Sequence, residues 1–140
     1  PLMAAGPVLV RLEALDTSGT RLSDNFYWQA ASDEALQALS AMATVSLTGA
    51  AKVGTDGSDT KIVVTLTNPG KTAAIQTKLT LFDAKGKQVL PAYFSDNYVS
   101  LLPGETREVT VTAPSALVGG SPSVKLRGWN VAAQSIAVGN

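Results

Sequence analysis

The sequence predicts an all-β protein, an immunoglobulin-like β-sandwich preceded by the closing hairpin of a second sandwich. Three observations lead there. From Thr44 onward, short apolar–polar alternations recur between turn signals, giving about seven strands before residue 138. The turn signature Asp-x-x-Gly stands at Asp16–Gly19 and again at Asp83–Gly86. Each is followed by the phrase Ser-Asp-Asn plus an aromatic, first as Ser23-Asp24-Asn25-Phe26 and then as Ser95-Asp96-Asn97-Tyr98. The spacing from turn to phrase differs by five residues, so the likeness is one of plan and not an exact repeat. Residues 1–31 then read as the terminal strands of a preceding sandwich, 32–43 as a linker with a short helix, and 44–140 as one whole sandwich.

In chain order, Val8, Val10, Leu12 and Ala14 alternate with Leu9, Arg11, Glu13 and Leu15, the period of a strand. Asp16 and Gly19 supply a turn, and Arg21 to Trp28 returns through the aromatic run Phe26-Tyr27-Trp28. A lone hairpin is marginal in water, so this one needs a sheet to join. Ser32 caps a short helix that has Asp33 and Glu34 in its first turn and Leu36 and Leu39 at helical spacing.

Val45 and Leu47 open the next strand, and 54–59 reads as a polar loop. Ile62, Val64 and Leu66 form an alternating face closed by Asn68-Pro69-Gly70, because proline cannot continue a ladder. Ile75, Thr77, Leu79 and Leu81 form another, and Gln88 to Phe94 is expected to return beside it. Pro103-Gly104 suits the centre of a type II turn, since proline presets its first position and glycine tolerates positive φ at the second. Val109 and Val111 then alternate with Glu108, Thr110 and Thr112. Loops are expected at Ala113-Pro114 and Gly119–Pro122, and a final strand carries Val124 and Leu126 on through a bulge at Gly128 to Trp129 and Val131.

Composition narrows the function. Eleven basic residues balance eleven acidic ones, and the four arginines and seven lysines are scattered in sequence, so no nucleic-acid footprint is expected. With neither cysteine nor histidine, the chain cannot build a disulfide, a Cys/His zinc site, a thiol nucleophile or a Ser-His-Asp relay. No cofactor is implied. No apolar run reaches the length of a membrane span, so membrane insertion is not expected. The apolar start, 1–10, has no basic n-region and does not begin with methionine, so it reads as the middle of a longer polypeptide. Absence of cysteine is compatible with a secreted or periplasmic protein.

At Val10–Asp16 and Leu22–Trp28, and again at Phe94–Glu105, the chain resembles the C-terminal end of glycoside hydrolase family 2 enzymes. Within that family it is similar to the group of β-mannosidases, mannosylglycoprotein endo-β-mannosidases and exo-β-glucosaminidases. Leu126–Val131 is similar to the last strand of the same group. The resemblance implies a large modular enzyme in which a catalytic (β/α)₈ barrel precedes two further sandwiches. This chain would be the end of the fourth module and all of the fifth. Its partners would be the remaining domains of that parent, including the barrel, and through them a β-linked oligosaccharide such as a β-mannoside. Such enzymes retain configuration by means of two barrel glutamates, and no segment here matches the barrel motifs that carry them. No catalytic residue is therefore assigned.

Candidate contacts for carbohydrate or a neighbouring module are Trp28, Trp129, Tyr98, Asp96 and Asn97. An exposed aromatic ring offers an apolar face to a pyranose, whereas Asp-Asn pairs more often satisfy backbone donors in loops. Glu105 and Glu108, three apart on a strand, face opposite sides and suit no acid/base pair. Asp56 and Asp59 flank Gly57 and Ser58 without the spacing of a calcium loop, and a hairpin turn is expected there, with no metal. Two other readings compete with an accessory module of a glycosidase: a free-standing carbohydrate-binding module, and an adhesin or structural immunoglobulin-like repeat. Sandwiches host all three.

Overall fold

The computed structural model describes residues 2–139. The chain divides into two compact units, Pro1–Met42 and Ala43–Asn140.

In the first unit, a 3₁₀ turn at Leu2–Ala5 precedes the antiparallel hairpin of β1 (Val8–Leu15) and β2 (Arg21–Gln29). Asp16 closes it, its Oδ1 accepting from the N–H groups of Ser18 and Thr20 at 2.8 Å each. The Ser18 hydroxyl and then the Thr20 N–H hold the Asp16 carboxyl below its ordinary value. That contribution is present above the ordinary aspartate range and is lost as pH falls through the lowered one. No residue of either strand is fully buried, and Leu12, Leu22 and Tyr27 are exposed. The expected helix is a single α-turn, α1 (Asp33–Leu36), capped by Ser32 and continued as 3₁₀ over Gln37–Ala41.

The second unit is a two-layered sandwich of eight strands. One layer contains β6 (Tyr93–Phe94), β8 (Thr106–Pro114), β4 (Asp59–Thr67) and β3 (Thr48–Asp56), in that spatial order. The other contains β7 (Val99–Leu101), β5 (Ala74–Phe82), β9 (Ser123–Arg127) and β10 (Gln134–Gly139). Hydrogen bonding runs unbroken between the layers through β10. It pairs antiparallel with β9 over Gln134–Ala137, then parallel with β3 at Val138 and Gly139.

The core follows from the register. Ile62 and Val64 lie opposite Val111 and Val109 in one layer, and Leu79 and Leu81 opposite Leu126 and Val124 in the other. Residues directly opposite in an antiparallel pair share a face, and all eight are buried, together with Leu66, Val99 and Leu101. Each such side chain contributes roughly 1.5–3 kcal/mol on burial. Thr77 is also fully buried among the described residues, with no hydrogen-bond partner for its hydroxyl.

Where the second unit lacks a ladder, two buried amides replace it. Asn130 Oδ1 accepts from Ile75 N–H at 2.9 Å, and its Nδ2 donates to the carbonyls of Ala73 and Ala43 at 2.9 and 3.1 Å. Asn68 Nδ2 donates to the carbonyls of Thr72 and Leu101, and its Oδ1 accepts from Gly70 N–H.

Five local expectations are corrected. The supposed loop at 54–59 is mostly strand, because β3 and β4 pair as far as Asp56 and Asp59 and leave only Gly57 and Ser58 to turn. Gln88–Phe94 does not return as one strand. Gln88 bridges Phe82 and Val89 N–H donates to Leu81, then Pro91, which has no N–H, ends the pairing. Tyr93 and Phe94 cross to the other layer and pair with β8. The loop at Ala113-Pro114 is the end of β8, where a missing N–H costs nothing, and a helical turn, α2 (Ser115–Val118), buries Val118 just after it. At Gly128 there is no bulge within a strand, because β9 has already ended and the backbone passes against β5. A Cβ there would stand 2.7 Å from the Ile75 carbonyl oxygen. Leu126–Val131 is accordingly the end of β9 and a turn, and the last strand is β10. The irregularity falls on β5, whose register to β7 shifts between Ala74 and Thr77, with Gln76 at φ 51°.

Replacing Asn130 by alanine leaves one N–H and two carbonyls unpaired in the interior, so urea unfolding should show a loss of at least about 3 kcal/mol. Unchanged stability would mean that the amide is dispensable. Thr77→Val removes a buried hydroxyl with little change of shape and should raise the unfolding free energy by about 1 kcal/mol.

Candidate functional site

The five candidates fall in three places. Trp28 lies in the first unit, on β2, opposite Leu9 and partly exposed. Asp96 and Asn97 sit in the segment between β6 and β7, and both are committed to the fold. Asp96 Oδ2 meets Arg107 Nη1 at 3.1 Å, and its Oδ1 accepts from Asn97 N–H. Asn97 presents a full peptide-like face to β5, accepting from Leu79 N–H at 2.8 Å and donating to its carbonyl at 3.1 Å. That side chain extends the sheet where the main chain has turned away.

The earlier phrase is placed differently. Ser23, Asp24 and Asn25 lie inside β2 and not in a loop, because the hairpin pairs continuously there. Asp24 is held between Arg11 and Arg21, at 3.7 and 4.0 Å, and Arg11 stacks over the Phe26 ring. The two Asp-x-x-Gly turns do match. Asp83 Oδ1 accepts from Lys85 and Lys87 N–H as Asp16 does from Ser18 and Thr20, and Gly86 N–H donates to the Asp83 carbonyl as Gly19 does to that of Asp16.

Tyr98 and Trp129 are brought together. Asn97 Oδ1 accepts from Tyr98 N–H, and at φ 57° the Tyr98 backbone turns its ring outward, where it is 55% exposed. Trp129 N–H donates to the Ile75 carbonyl at 2.9 Å, which fixes its backbone beside β5 and leaves the residue 60% exposed. Between them lies a shallow depression of about 200 Å³ that Lys78 and Arg127 also line. It adjoins a larger groove of about 520 Å³ over the outer surface of β5 and β9, in which Phe82 and Lys125 are prominent.

The basic members of this surface are absent from the sequence-based candidates. Lys78, Lys125 and Arg127 stand far apart in the chain, yet β5 and β9 set Lys78 opposite Arg127 and Thr80 opposite Lys125. Their signal was the alternation itself, since each neighbours a buried Leu79 or Leu126 and must point outward. Of the acidic pairs, Glu105 is taken up by the fold. Glu105 Oε2 caps the N–H of Leu102, three residues back across the Pro103-Gly104 turn, where Gly104 has φ 77° as a type II turn requires. Among the described residues no group of three His, Cys, Asp or Glu side chains could hold a metal ion.

Comparison with known proteins accounts for nearly the whole chain. Residues 25–131 match the model of the exo-β-D-glucosaminidase Ig-fold domain. An exo-β-D-glucosaminidase of Streptomyces avermitilis is 38% identical over 91% of this chain and 17% of its own length. That of Amycolatopsis orientalis is 34% identical, with coverage of 86% and 14%. A mannosylglycoprotein endo-β-mannosidase of Lilium longiflorum is 41% identical over 51 residues, 36% of this chain and 5% of its own. The crystal structure of the Amycolatopsis orientalis exo-chitosanase CsxA superposes with a TM-score of 0.83 at 30% identity, covering 92% of this chain and 18% of that one. This chain thus spans less than a fifth of each of these proteins.

Thermal unfolding tests the structural role of Asn97. Asn97→Ala, which strips two hydrogen bonds from Leu79, is expected to cost about 1–3 kcal/mol. Unchanged stability would overturn the assignment.

Proposed function

The chain belongs to the exo-β-D-glucosaminidase Ig-fold domain family, within glycoside hydrolase family 2, and from that premise we propose that it is a non-catalytic accessory portion of a retaining β-glycosidase whose catalytic barrel lies outside these 140 residues. One observation carries the reading. The similarity to whole exo-β-D-glucosaminidases extends over 91% of the chain but only 17% of the relative, so what is shared is a small, Ig-fold portion of a larger protein. Its carboxylates support this. Glu105 and Asp96 are both engaged with Arg107, and Glu108 lies beside Thr65 on the outer side of β8.

For the parent, the preferred substrate in this reading is a terminal β-linked glucosamine. The mannoside suggested by the sequence rests on a relative matched over only 51 residues, whereas the glucosaminidases align along almost the entire chain. The hairpin of β1 and β2 belongs to the same proposal as the closing strands of a preceding sandwich. Its strands bury nothing fully, and its exposed Leu12 and Tyr27 share a face that a neighbouring layer would cover. A secreted or periplasmic location is part of the reading.

The 140-residue chain is expected to release no p-nitrophenol from aryl β-D-glucosaminide or β-D-mannoside, while the protein encoded by its complete reading frame should cleave the glucosaminide in preference to the mannoside. Hydrolysis by the chain alone would move the chemistry into it. A parent that preferred the mannoside would overturn the substrate assignment and leave the accessory role standing.

A further inference from the structure

The outer surface of β5 and β9 is a charged feature of the second unit that no part of the proposed function uses. Residues 43–140 contain nine Lys and Arg against six Asp and Glu, a net charge of +3. The acidic residues are taken up elsewhere. Asp96 and Glu105 face Arg107, Asp83 holds its own turn, Asp56 and Asp59 flank the β3–β4 turn, and Glu108 lies beside Thr65. On β5 and β9, by contrast, Lys78, Lys125 and Arg127 point outward together, and among the described residues no carboxylate forms an ion pair with any of them.

Two of these cations are held over rings. Lys125 Nζ lies 4.2 Å from the centroid of Phe82, and Lys78 Nζ lies 5.7 Å from that of Tyr98. Such contacts restrain long side chains that would otherwise lose entropy on binding. Trp129 borders the same surface and is 60% exposed. Gln76 adds an amide at the edge of the smaller depression, and Gln134 lines the larger one with its Nε2 donating to the Leu47 carbonyl. Flat aromatic faces with amide donors and acceptors around them are the chemistry that recognises a pyranose, and unpaired cations select one bearing negative charge.

We infer that this surface is a binding site for an acidic oligosaccharide, one bearing carboxylates or sulfates, seated across Lys78, Lys125 and Arg127 with a ring against Trp129. A glucosamine oligomer carries ammonium groups that these three cations repel. An acidic peptide would satisfy the cations but would leave the aromatic faces without a matching partner. The inference stands on this surface alone, and neither the parent's activity nor its substrate enters it.

Calorimetric titration of the 140-residue chain with oligogalacturonate, a sulfated oligosaccharide, a glucosamine oligomer and polyglutamate tests it. Saturable binding of the oligogalacturonate or the sulfated sugar is expected, falling as salt rises, with no binding of the glucosamine oligomer. The paired substitution Lys125→Ala and Arg127→Ala should weaken binding by about tenfold or more, while Lys61→Ala, on the other layer, should leave it unchanged. Trp129→Ala should weaken the sugars and leave any interaction with polyglutamate unaltered. With the unsubstituted chain, amide shifts on adding the sugar should centre on Lys78, Lys125, Arg127 and Trp129. Failure of both acidic sugars to bind, glucosamine binding of equal strength, polyglutamate binding as tight as the sugars, or shifts centred elsewhere would each overturn the proposal.

Discussion

A single buried carboxamide, that of Asn130, is the constraint on which the second unit depends. It accepts from Ile75 and donates to Ala73 and Ala43, while its own carbonyl accepts from Val45 N–H at 2.7 Å. Four stretches of chain meet there: the start of the unit, the lead into β3, the beginning of β5 and the turn between β9 and β10. None of these pairings belongs to a regular ladder, and each buried peptide group would otherwise be left unsatisfied. A carboxamide is suited to the task because one end accepts and the other donates two hydrogens, so it can replace a missing strand. Asn68 at the end of β4 and Asn97 beside β5 repeat the solution, and the three together complete the sheets where the backbone alone could not.

The same device prepares the basic surface. Asn130 fixes β5 against the turn that carries Trp129, and Asn97 fixes β5 against the turn that carries Tyr98. Gly128 lets the two backbones approach closely enough for Trp129 N–H to reach the Ile75 carbonyl. The rings therefore stand on a framework secured from both sides, and the outward Lys78 and Arg127 lie between them. Positioning by side-chain amides below and display of charge above are two aspects of one arrangement.

Much of this fold was legible in the sequence. The alternations at Ile62–Leu66, Thr77–Leu81 and Val109–Val111 are inward faces as read, and the Asp-x-x-Gly turns form the same hydrogen bonds twice. Local pattern failed where pairing partners decide. Thr48–Asp56 has little apolar alternation, yet it is a full strand because β4 and β10 flank it. Tyr93 and Phe94 change layers after a proline, and nothing in the alternation shows which layer receives them. The repeated Ser-Asp-Asn phrase misled for a related reason, since the identical residues serve a continuous hairpin in one case and a crossing in the other. Of the site, Trp129 and Tyr98 were legible as aromatics, but the cations between them were not, because only the register of β5 against β9 gathers them.

The spatial order of the eight strands also bears on how the unit behaves among its copies. Its outermost strands are β6 and β7, of two and three residues, so the rows of open peptide groups at either margin are too short to template another chain. The long strands, all of nine residues, are interior. The hairpin of the first unit is the opposite case, with strands of eight and nine residues whose outer margins no described residue pairs. Any edge-to-edge pairing between copies of these 140 residues would therefore begin at the hairpin and not at the sandwich.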